Sequence, residues 1–425
     1  MKRILVIVLA LLMLLPSAVA FAEPEETVLQ FWNPEDSPEA IAMLDEIVGN
    51  FEASHPGVKV EVTTIPWGDI YSKWLTSIET GTTPDVSFAS AAYARSLYSI
   101  GALEPLTDIV PEGFFADSAS GYVDVHTAED GELVGMPYVH NCVVLWYRKS
   151  SFEKLGLEPP KTWDEMLEAA ELLTGDGKYG MLVTASRSHI TQQSFYSLLL
   201  ANGGEITDHA TGSENLFNSP QNVEALEYYN KLAQFTPPGS LGYERPDAES
   251  AMATGLIDMF IYGSWLGGSL IANAPEVYAD FAVAPVPGNN GARGSNMGNL
   301  DLVVFKNSPN KELAKEFVMF LMDNENYLPW VTSNPTSYIP VTKAAQESPD
   351  YYENPNVVAA KDIIDVVNQE LPYAWVYGAP NPNAGQLEGL STITYAVTRT
   401  LLEGMDAEEA IAVTAEEVGE VLFPE

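Results

Sequence analysis

Strand-like and helix-like segments alternate along residues 28–88, and this alternation constrains the fold more than any other feature of the sequence. Residues 28–32 form an apolar run, residues 58–62 alternate apolar and charged side chains, and residues 85–88 resemble a third strand. Ser37 and Pro38 begin an amphipathic helix after the first of these, and residues 67–79 form a second helix. The resulting β-α-β-α-β order predicts an α/β fold with a parallel sheet and helices on both faces.

The rest of the chain continues this alternation as far as its tail, which is helical. Because 425 residues exceed the usual size of one hydrophobic core, we expect two lobes. Strands or extended segments are predicted at 136–147, 181–183, 259–262, 281–285 and 302–305, with a Gly/Asn loop at 288–298. Helices are predicted from Thr162, with a capping box to Glu165, at 194–200, from Ser219, from Ser308, at 390–402, and at 407–422 behind Asp406.

The charge balance excludes several classes of partner. Lys and Arg number 20 against 59 Asp and Glu, so the formal net charge is −39. A field of this sign repels nucleic acids and anionic lipids. Hydrophobic residues nevertheless make up 46 % of the chain, which predicts a folded protein with a sizeable core.

The N-terminus has the pattern of a secretory signal peptide at residues 1–22. Lys2 and Arg3 precede an apolar run at 4–15, and residues 20–22 supply an A-x-A cleavage site. No cysteine stands at that site, so we expect an exported soluble protein without a lipid anchor. The single cysteine, Cys142, lies in an apolar run and is predicted to be buried.

Motifs that carry catalysis are missing from the sequence. The histidines have no metal-site spacing, and neither a nucleophile elbow nor a phosphate-binding loop occurs. Gly175, Gly177 and Gly180 match a dinucleotide fingerprint, but they follow a helix rather than a strand. We therefore predict no catalytic residues, no metal and no cofactor. The many carboxylates still leave an unspecified hydrolase open.

Polar and aromatic residues instead cluster where predicted strands end. Trp32 and Asn33 end the first strand, Ser90 and Tyr93 follow the third, and Trp265 follows residues 259–262. Ligands of open α/β sheets bind outside the carboxyl ends of strands. An aromatic ring can cover the C–H face of a sugar while planar polar groups pair with its hydroxyls. This pattern favours a sugar-binding cleft.

Several segments, taken in order, resemble the extracellular solute-binding proteins of bacterial ABC importers, in particular the sugar binders. Each motif is loose alone, but their order and spacing cover nearly the whole mature chain. The matching segments are 81–86 (GTTPDV), 135–138 (GMPY), 145–149 (LWYRK), 161–165 (KTWDE), 251–265 (AM to GSW), 309–317 (PNKE to F), 395–397 (YAV) and 410–422.

The resemblance implies a two-lobe periplasmic-binding-protein architecture, type II-like, with a hinged cleft. Residues 23–138 plus 285–335 would form the N-terminal lobe, and residues 139–284 plus 336–425 the C-terminal lobe. The implied function is capture of a sugar or oligosaccharide and its delivery to a membrane permease. The protein would be a periplasmic or extracellular monomer, would contact no nucleic acid and would not be an enzyme.

The resemblance also extends the set of candidate binding residues. It implies roles for Trp67, Asp69, Tyr138, Asn141, Gln192, Phe195, Asn299, Asp301, Trp375 and Tyr377, and it strengthens those of Ser90, Tyr93 and Trp265. Two departures stand out. Thr394 occupies a place where the maltodextrin binder has a stacking tryptophan, and Arg148 replaces an asparagine in what we expect to be a surface change.

Other cargoes and another class of protein remain open from the sequence. The cargo could be a polyamine, held by carboxylates around an aromatic box, a glycerophosphodiester or a metal ion. The protein could also be a secreted carbohydrate-active enzyme, which would release a smaller sugar from a bound glycoside.

Overall fold

The computed structural model of the chain describes residues 26–35, 37–115 and 124–424. The predicted signal peptide at 1–22 therefore lies outside the described residues. The strands within them join one sheet of ten. They are β1 (Thr27–Asn33), β2 (Val58–Thr64), β3 (Val86–Ala89), β4 (Leu103–Glu104), β5 (Met136–Arg148), β6 (Met259–Gly263), β7 (Phe281–Ala284), β8 (Ser295–Phe305), β9 (Ile339–Pro340) and β10 (Ala374–Trp375).

The sheet follows the order β2-β1-β3-β8-β5-β6, and its parallel part is the one that the sequence predicts. β1 pairs in parallel with both β2 and β3, whereas β8 runs antiparallel to β3 and β5. The α/β fold class and the parallel pairing of the first three strands are thus confirmed, but the sheet as a whole is mixed. β4 and β10 add to β8, and β7 and β9 add to β5.

Two long strands serve both halves of the molecule. Residues 136–142 of β5 pair with β8, while residues 143–148 pair with β6 and β7. β8 likewise pairs with β10 at its start and with β3 and β4 at its end. The two halves of the chain are therefore joined by a pair of crossing strands rather than by one linker.

Helices cover both faces of the sheet and form most of the tail. They are α1 (Pro38–Ser54), α2 (Trp67–Thr80), α3 (Ala91–Ser99), α4 (Lys149–Leu155), α5 (Trp163–Leu173), α6 (His189–Ala201), α7 (Pro220–Leu232), α8 (Arg245–Ala253), α9 (Leu266–Asn273), α10 (Pro275–Tyr278), α11 (Lys311–Met322), α12 (Asn324–Ser333), α13 (Lys343–Gln346), α14 (Pro349–Tyr352), α15 (Pro355–Ala359), α16 (Lys361–Glu370), α17 (Ala384–Gly389), α18 (Thr394–Leu401) and α19 (Ala407–Leu422). Over the three described stretches, no helix has both the length and the apolar composition that a bilayer crossing needs.

Helix starts agree with the predicted caps where a side chain can reach the first turn. The Ser37 hydroxyl accepts from the amide of Ala40, and Thr162 and Glu165 form the capping box that begins α5. Asp406 accepts from the amides of the first turn of α19. These predictions are confirmed.

The structure differs from the predicted strands at two places. Residues 181–183 are extended, but Met181 donates to the carbonyl of Phe235 and Leu182 to that of Met259, so no continuous ladder forms. The loop predicted at 288–298 is shorter, because β8 already begins at Ser295.

Three helix boundaries also differ. α6 begins at His189 rather than Ser194, and α11 begins at Lys311, with the Ser308 hydroxyl accepting from the amide of Asn310 instead of capping the helix. The helix predicted at 390–402 is shorter, since α18 spans Thr394–Leu401 and α17 has already ended at Gly389. Ser391 lies between the two helices, and its left-handed φ of 51° interrupts the helical hydrogen bonds.

Aromatic side chains mark a core on each side of the crossing strands. Phe31, Phe88 and Phe317 join β1, β3 and α11, with ring centroids 5.1 and 5.5 Å from Phe31. In the other half, Trp163 stacks on Tyr228 at 4.1 Å and joins α5 to α7. Each half therefore has buried aromatic contacts of its own.

Candidate functional site

A cavity of about 560 Å³ lies at the crossing strands, and segments from both halves line it. The loop after β1, the start of α2 and the residue after β3 line one side. The start of α6, helix α8 and the turn between β6 and α9 line the other. The carboxyl ends of β1 and β3 thus open into the cavity, as expected for ligand sites of open α/β sheets.

Aromatic side chains supply the apolar part of the wall: Trp67, Tyr262, Trp265, Tyr338 and Tyr377. Trp265 is partly exposed and meets Tyr262 edge-on, with ring centroids 5.5 Å apart and planes at 72°. Two glycines leave room for the ring, and the closer is Gly263 of β6, where a Cβ would lie 2.1 Å from the ring. A Cβ on Gly298 would lie 3.0 Å from the Trp265 ring and 1.9 Å from Asn141 Oδ1. The ring is a platform for the apolar face of a ligand.

Glu35, in the loop after β1, holds two of these aromatic residues. Its Oε1 accepts from Trp67 Nε1 at 2.9 Å, and its Oε2 accepts from the Tyr338 hydroxyl at 2.5 Å. The carboxylate therefore joins the start of α2 to the segment before β9. No Lys or Arg of the described residues forms a salt bridge with it.

Glu388 reaches the wall from α17, more than two hundred residues along the chain from the elements it faces. Its Oε2 accepts from Ser90 Oγ at 3.1 Å. Burial raises the pKa of the Glu388 carboxyl to about 7, against the opposing effect of the Ser90 hydrogen bond. Burial and the Glu388 charge together raise the pKa of Tyr71 to about 12. The carboxyl thus lies among phenol rings.

Asn141, on β5, lines the cavity with its side chain fixed to the backbone. Its Nδ2 donates to the carbonyl of Ser337 at 2.7 Å, and the residue is only 9 % exposed. Its Oδ1 lies against Gly298 and accepts no hydrogen bond from any residue that the structure describes. Most buried polar atoms are paired, so this oxygen is an exception on the cavity wall.

The wall is strongly acidic. Among the residues that the structure describes, five glutamates line the cavity, at positions 35, 39, 244, 249 and 388, against one arginine, Arg245. Arg245 Nε donates to Glu249 Oε1 at 2.8 Å, so this cation is already paired. Burial lowers the pKa of His189 to about 4, which keeps its imidazole neutral at pH 7. Within the described stretches, no group of three or more His, Cys, Asp or Glu side chains is arranged to hold a metal ion.

Some of the side chains nominated from the sequence come together on this wall: Trp67, Ser90, Asn141, Trp265, Asn299 and Tyr377. They arrive from β5, β8, the β10 segment and the N-terminal ends of α2, α3 and α9. The structure therefore groups residues that are far apart in sequence, as the strand-exit pattern suggested for Ser90 and Trp265.

The nominated aromatic residues that do not line the cavity pack elsewhere. Tyr138 and Phe195 are fully buried in the cores, and Trp32 is 8 % exposed beside α2. Tyr93 is fully buried behind the wall, and its ring stacks on Tyr71 at 4.9 Å. Trp375 is 38 % exposed and stacks on the ring of His209 outside the cavity.

Four nominated polar residues also lie off the wall. Asn33 is buried and holds the loop that follows β1 through hydrogen bonds with the backbone of Glu35, while Asp69 is exposed on α2. Asp301 is buried, and its Oδ1 lies 2.9 Å from His126 Nε2. Gln192 lies on the buried side of α6 and is 2 % exposed.

Sequence reasoning missed several wall residues for two different reasons. Gln193 lines the cavity in place of Gln192, because a difference of one residue turns a side chain about 100° around a helix. Glu35 lay in a loop already identified as a strand exit, so a signal for it existed. Glu388 had no local signal, since only the packing of α17 against α3 brings it to the cavity.

Comparisons with known proteins agree with this geometry. The family profile of bacterial extracellular solute-binding proteins matches residues 35–328. YcjN of Escherichia coli (strain K12), which carries the name of an ABC transporter periplasmic-binding protein, is 28 % identical over 83 % of this chain and 81 % of its own length.

Solved structures give the same result for the fold. An ABC transporter solute-binding protein from Thermotoga lettingae TMO, bound with α-D-tagatose, has a TM-score of 0.81 at 28 % identity and covers 93 % of this chain and 100 % of its own. Maltose-bound MalE3 of T. maritima has a TM-score of 0.79 at 23 % identity, over 93 % and 100 %. The two-lobe architecture is thereby confirmed, and the chain belongs to the family of bacterial extracellular solute-binding proteins, the substrate-binding proteins of ABC importers.

Proposed function

We propose that this protein captures a sugar or short oligosaccharide in the cavity at the crossing strands and delivers it to a membrane permease. The observation that carries the proposal is the wall itself. The Trp265 platform lies among planar amides and carboxylates, which is the chemistry that a pyranose or furanose ring requires. The bound tagatose of the Thermotoga lettingae relative supports the same class of cargo.

In this proposal the two lobes comprise residues 23–138 plus 285–335 and residues 139–284 plus 336–425. The cavity wall draws on both, so a bound sugar would favour the closed arrangement by contacting both lobes at once. The crossing strands β5 and β8 would bend at the hinge. The closed form, presented at the membrane surface, would be the form that the permease recognises.

The cellular setting follows from the same family membership. We expect an exported monomer that acts in the periplasm or outside the cell after removal of residues 1–22, without a lipid anchor. It binds its cargo and releases it unchanged, as expected of a binding protein rather than an enzyme. Incubation with glycosides and analysis of the products by chromatography tests this directly, since a released smaller sugar would contradict it.

Two of the alternative cargoes fit the wall poorly. A glycerophosphodiester would need free cations, whereas Arg245 is paired with Glu249. A metal ion would need clustered ligands, and the described residues contain no such cluster. A polyamine remains a candidate, because the carboxylates around the aromatic residues are the groups that would hold it.

The experiment that tests the proposal is calorimetry of the mature protein against mono- and oligosaccharides, with a matched pair of variants. Trp265→Ala should weaken sugar binding by about 1–3 kcal/mol, the scale of a lost aromatic contact. Trp375→Ala removes a tryptophan that does not line the cavity and should leave affinity within about threefold. Equal losses in both variants, or binding of spermidine with no sugar bound, would overturn the proposal.

A further inference from the structure

The charge of the cavity wall exceeds what a neutral sugar requires. Five carboxyl groups face one guanidinium, and that guanidinium is paired with Glu249. The general acidity of the chain explains carboxylates on the outer surface, where water solvates them at little cost. It does not explain Glu388, whose side chain is half-buried in the wall and has only the Ser90 hydroxyl as a partner among the described residues.

Glu388 differs from Glu35 in what it still offers to a ligand. Both Glu35 oxygens already accept a hydrogen bond, from Trp67 and from Tyr338. Glu388 accepts through Oε2 alone, which leaves Oε1 for a donor on the ligand. A protonated amine is the donor that would also neutralise the charge.

The polar groups of the wall give an independent indication of what the ligand carries. Asn141 lines the cavity, and its buried Oδ1 lies against Gly298 without a partner among the described residues. The wall also carries amides, at Gln193, Asn296 and Asn299, that suit ligand hydroxyls. A polyamine has no hydroxyls and would leave these groups unsatisfied, whereas an amine-bearing sugar serves both sets.

We propose that the cargo is a sugar bearing a protonated amine, and that the Glu388 carboxylate pairs with that amine. This inference rests on the proposed function and narrows its substrate class. Tyr377 also lines the cavity, close enough to Glu388 for the carboxylate charge to help raise the pKa of its phenol. Its ring would lie beside the bound cation.

The direct test compares matched sugars on the unmodified mature protein by calorimetry at about pH 7, where the amine is largely protonated. Each set contains an amino sugar, its hydroxyl analogue and its N-acetyl derivative: D-glucosamine with D-glucose and N-acetyl-D-glucosamine, the galactose and mannose sets, and the β-1,4-linked glucosamine disaccharide with cellobiose and its diacetyl form. In at least one set the amine should bind about tenfold or more tighter than both uncharged members.

The variant test locates the charge. Glu388→Gln should lower the affinity for the amine about tenfold and change that for the uncharged members by less than about threefold. Glu227→Gln, which removes an exposed carboxylate on α7 away from the cavity, should change neither. A Glu388→Gln protein with an unchanged amine preference would overturn the pairing with Glu388.

The outcomes separate this inference from the function on which it rests. If an uncharged sugar binds as tightly as its amine, or if no amine binds while another sugar does, the inference fails and sugar capture stands. If spermidine binds and no sugar of any set does, both fail, and a polyamine cargo replaces them. The comparison on the unmodified protein decides these cases even if the Glu388 variant is unstable.

Discussion

The Glu388 carboxyl releases its proton at a higher pH in the folded protein than an exposed glutamate does. Burial raises the pKa of this carboxyl from 4.5 to about 7 in the folded protein. Between these values the folded state binds more protons than the unfolded state, so the free energy of unfolding falls as pH rises. The stabilisation that protonated Glu388 gives the folded state is complete below about pH 4.5 and is lost as pH rises through about 7.

This linkage predicts a pH dependence that belongs to Glu388 alone. Comparing the wild type with Glu388→Gln removes the contribution of the other carboxylates. Relative to Glu388→Gln, the wild-type free energy of unfolding should fall by about 1–3 kcal/mol between about pH 4.5 and 7.5. Urea unfolding of both proteins at several pH values measures it. A difference that stays constant with pH would show that Glu388 ionises normally in the folded state.

Individual residues also show how far the site could be predicted from the sequence. Trp265 and Ser90 could be nominated because strand exits are visible in the local pattern. Gln192 was nominated from the family resemblance of its segment, which does not say which side of α6 faces the cavity; Gln193 is the residue that lines it. Glu388 could not be found, since its burial depends on contacts with elements almost three hundred residues away.

At the scale of elements, Arg148 fixes the end of β5 to its neighbours. It is buried, with Nε 3.2 Å from Asp258 Oδ1, Nη1 3.3 Å from Asp280 Oδ2, and its guanidinium over the ring of Phe281. The expectation of a harmless surface change was therefore wrong. An asparagine-like side chain could not reach both carboxylates, so the replacement is part of how β5, β6 and β7 are held together.

Removing this side chain should be costly, because it leaves buried Asp258 without its cation. We expect Arg148→Ala to lower the free energy of unfolding by about 3–5 kcal/mol. Lys361→Ala removes an exposed partner of Asp365 on α16 and should cost less than about 1 kcal/mol. Denaturant titrations of the two variants compare them, and equal losses would contradict a special role for the buried pair.

β8 carries a glycine that the site requires. Alanine at position 298 would place a Cβ 1.9 Å from Asn141 Oδ1 and 3.0 Å from the Trp265 ring, so one of them must move. Gly298→Ala should therefore weaken sugar binding about tenfold or more. Gly49→Ala, on α1, meets nothing within 4 Å and should leave binding unchanged while stabilising the fold by up to about 1 kcal/mol. Unimpaired binding by Gly298→Ala would show that the close approach is not needed.

Local patterns predicted the elements that are specified locally. The strands β1, β2 and β3 and the capped helices α1, α5 and α19 follow from periodicity and cap chemistry alone. The failures occur where neighbours decide. Residues 181–183 have strand composition, but their amides bond to two different segments. The start of α18 is delayed by the left-handed Ser391, while α17 before it packs against α3.

Over the whole molecule, the order of the motifs along the chain predicted the two-lobe architecture. The motifs did not predict which residues form the cavity wall. A parallel sheet extended by two long crossing strands brings distant loops to one cavity, and this assembly is not visible in local sequence. The tail illustrates the difference. Ser96 Oγ on α3 donates to the carbonyl of Pro382 and accepts from the amide of Gly385, so the segment before α17 is bound to α3.

Closure should be visible in solution as a change of the whole molecule. If a sugar contacts both lobes, its binding favours the closed form and the radius of gyration should fall when the protein is saturated. Small-angle scattering with and without the sugar identified by calorimetry measures this, against about 22 Å expected for a compact chain of this length. Trp265→Ala at the same sugar concentration should stay nearer the open value. A radius that does not change on saturation would mean that the cavity binds sugar without closing, and hinge motion would then have no part in delivery to the permease.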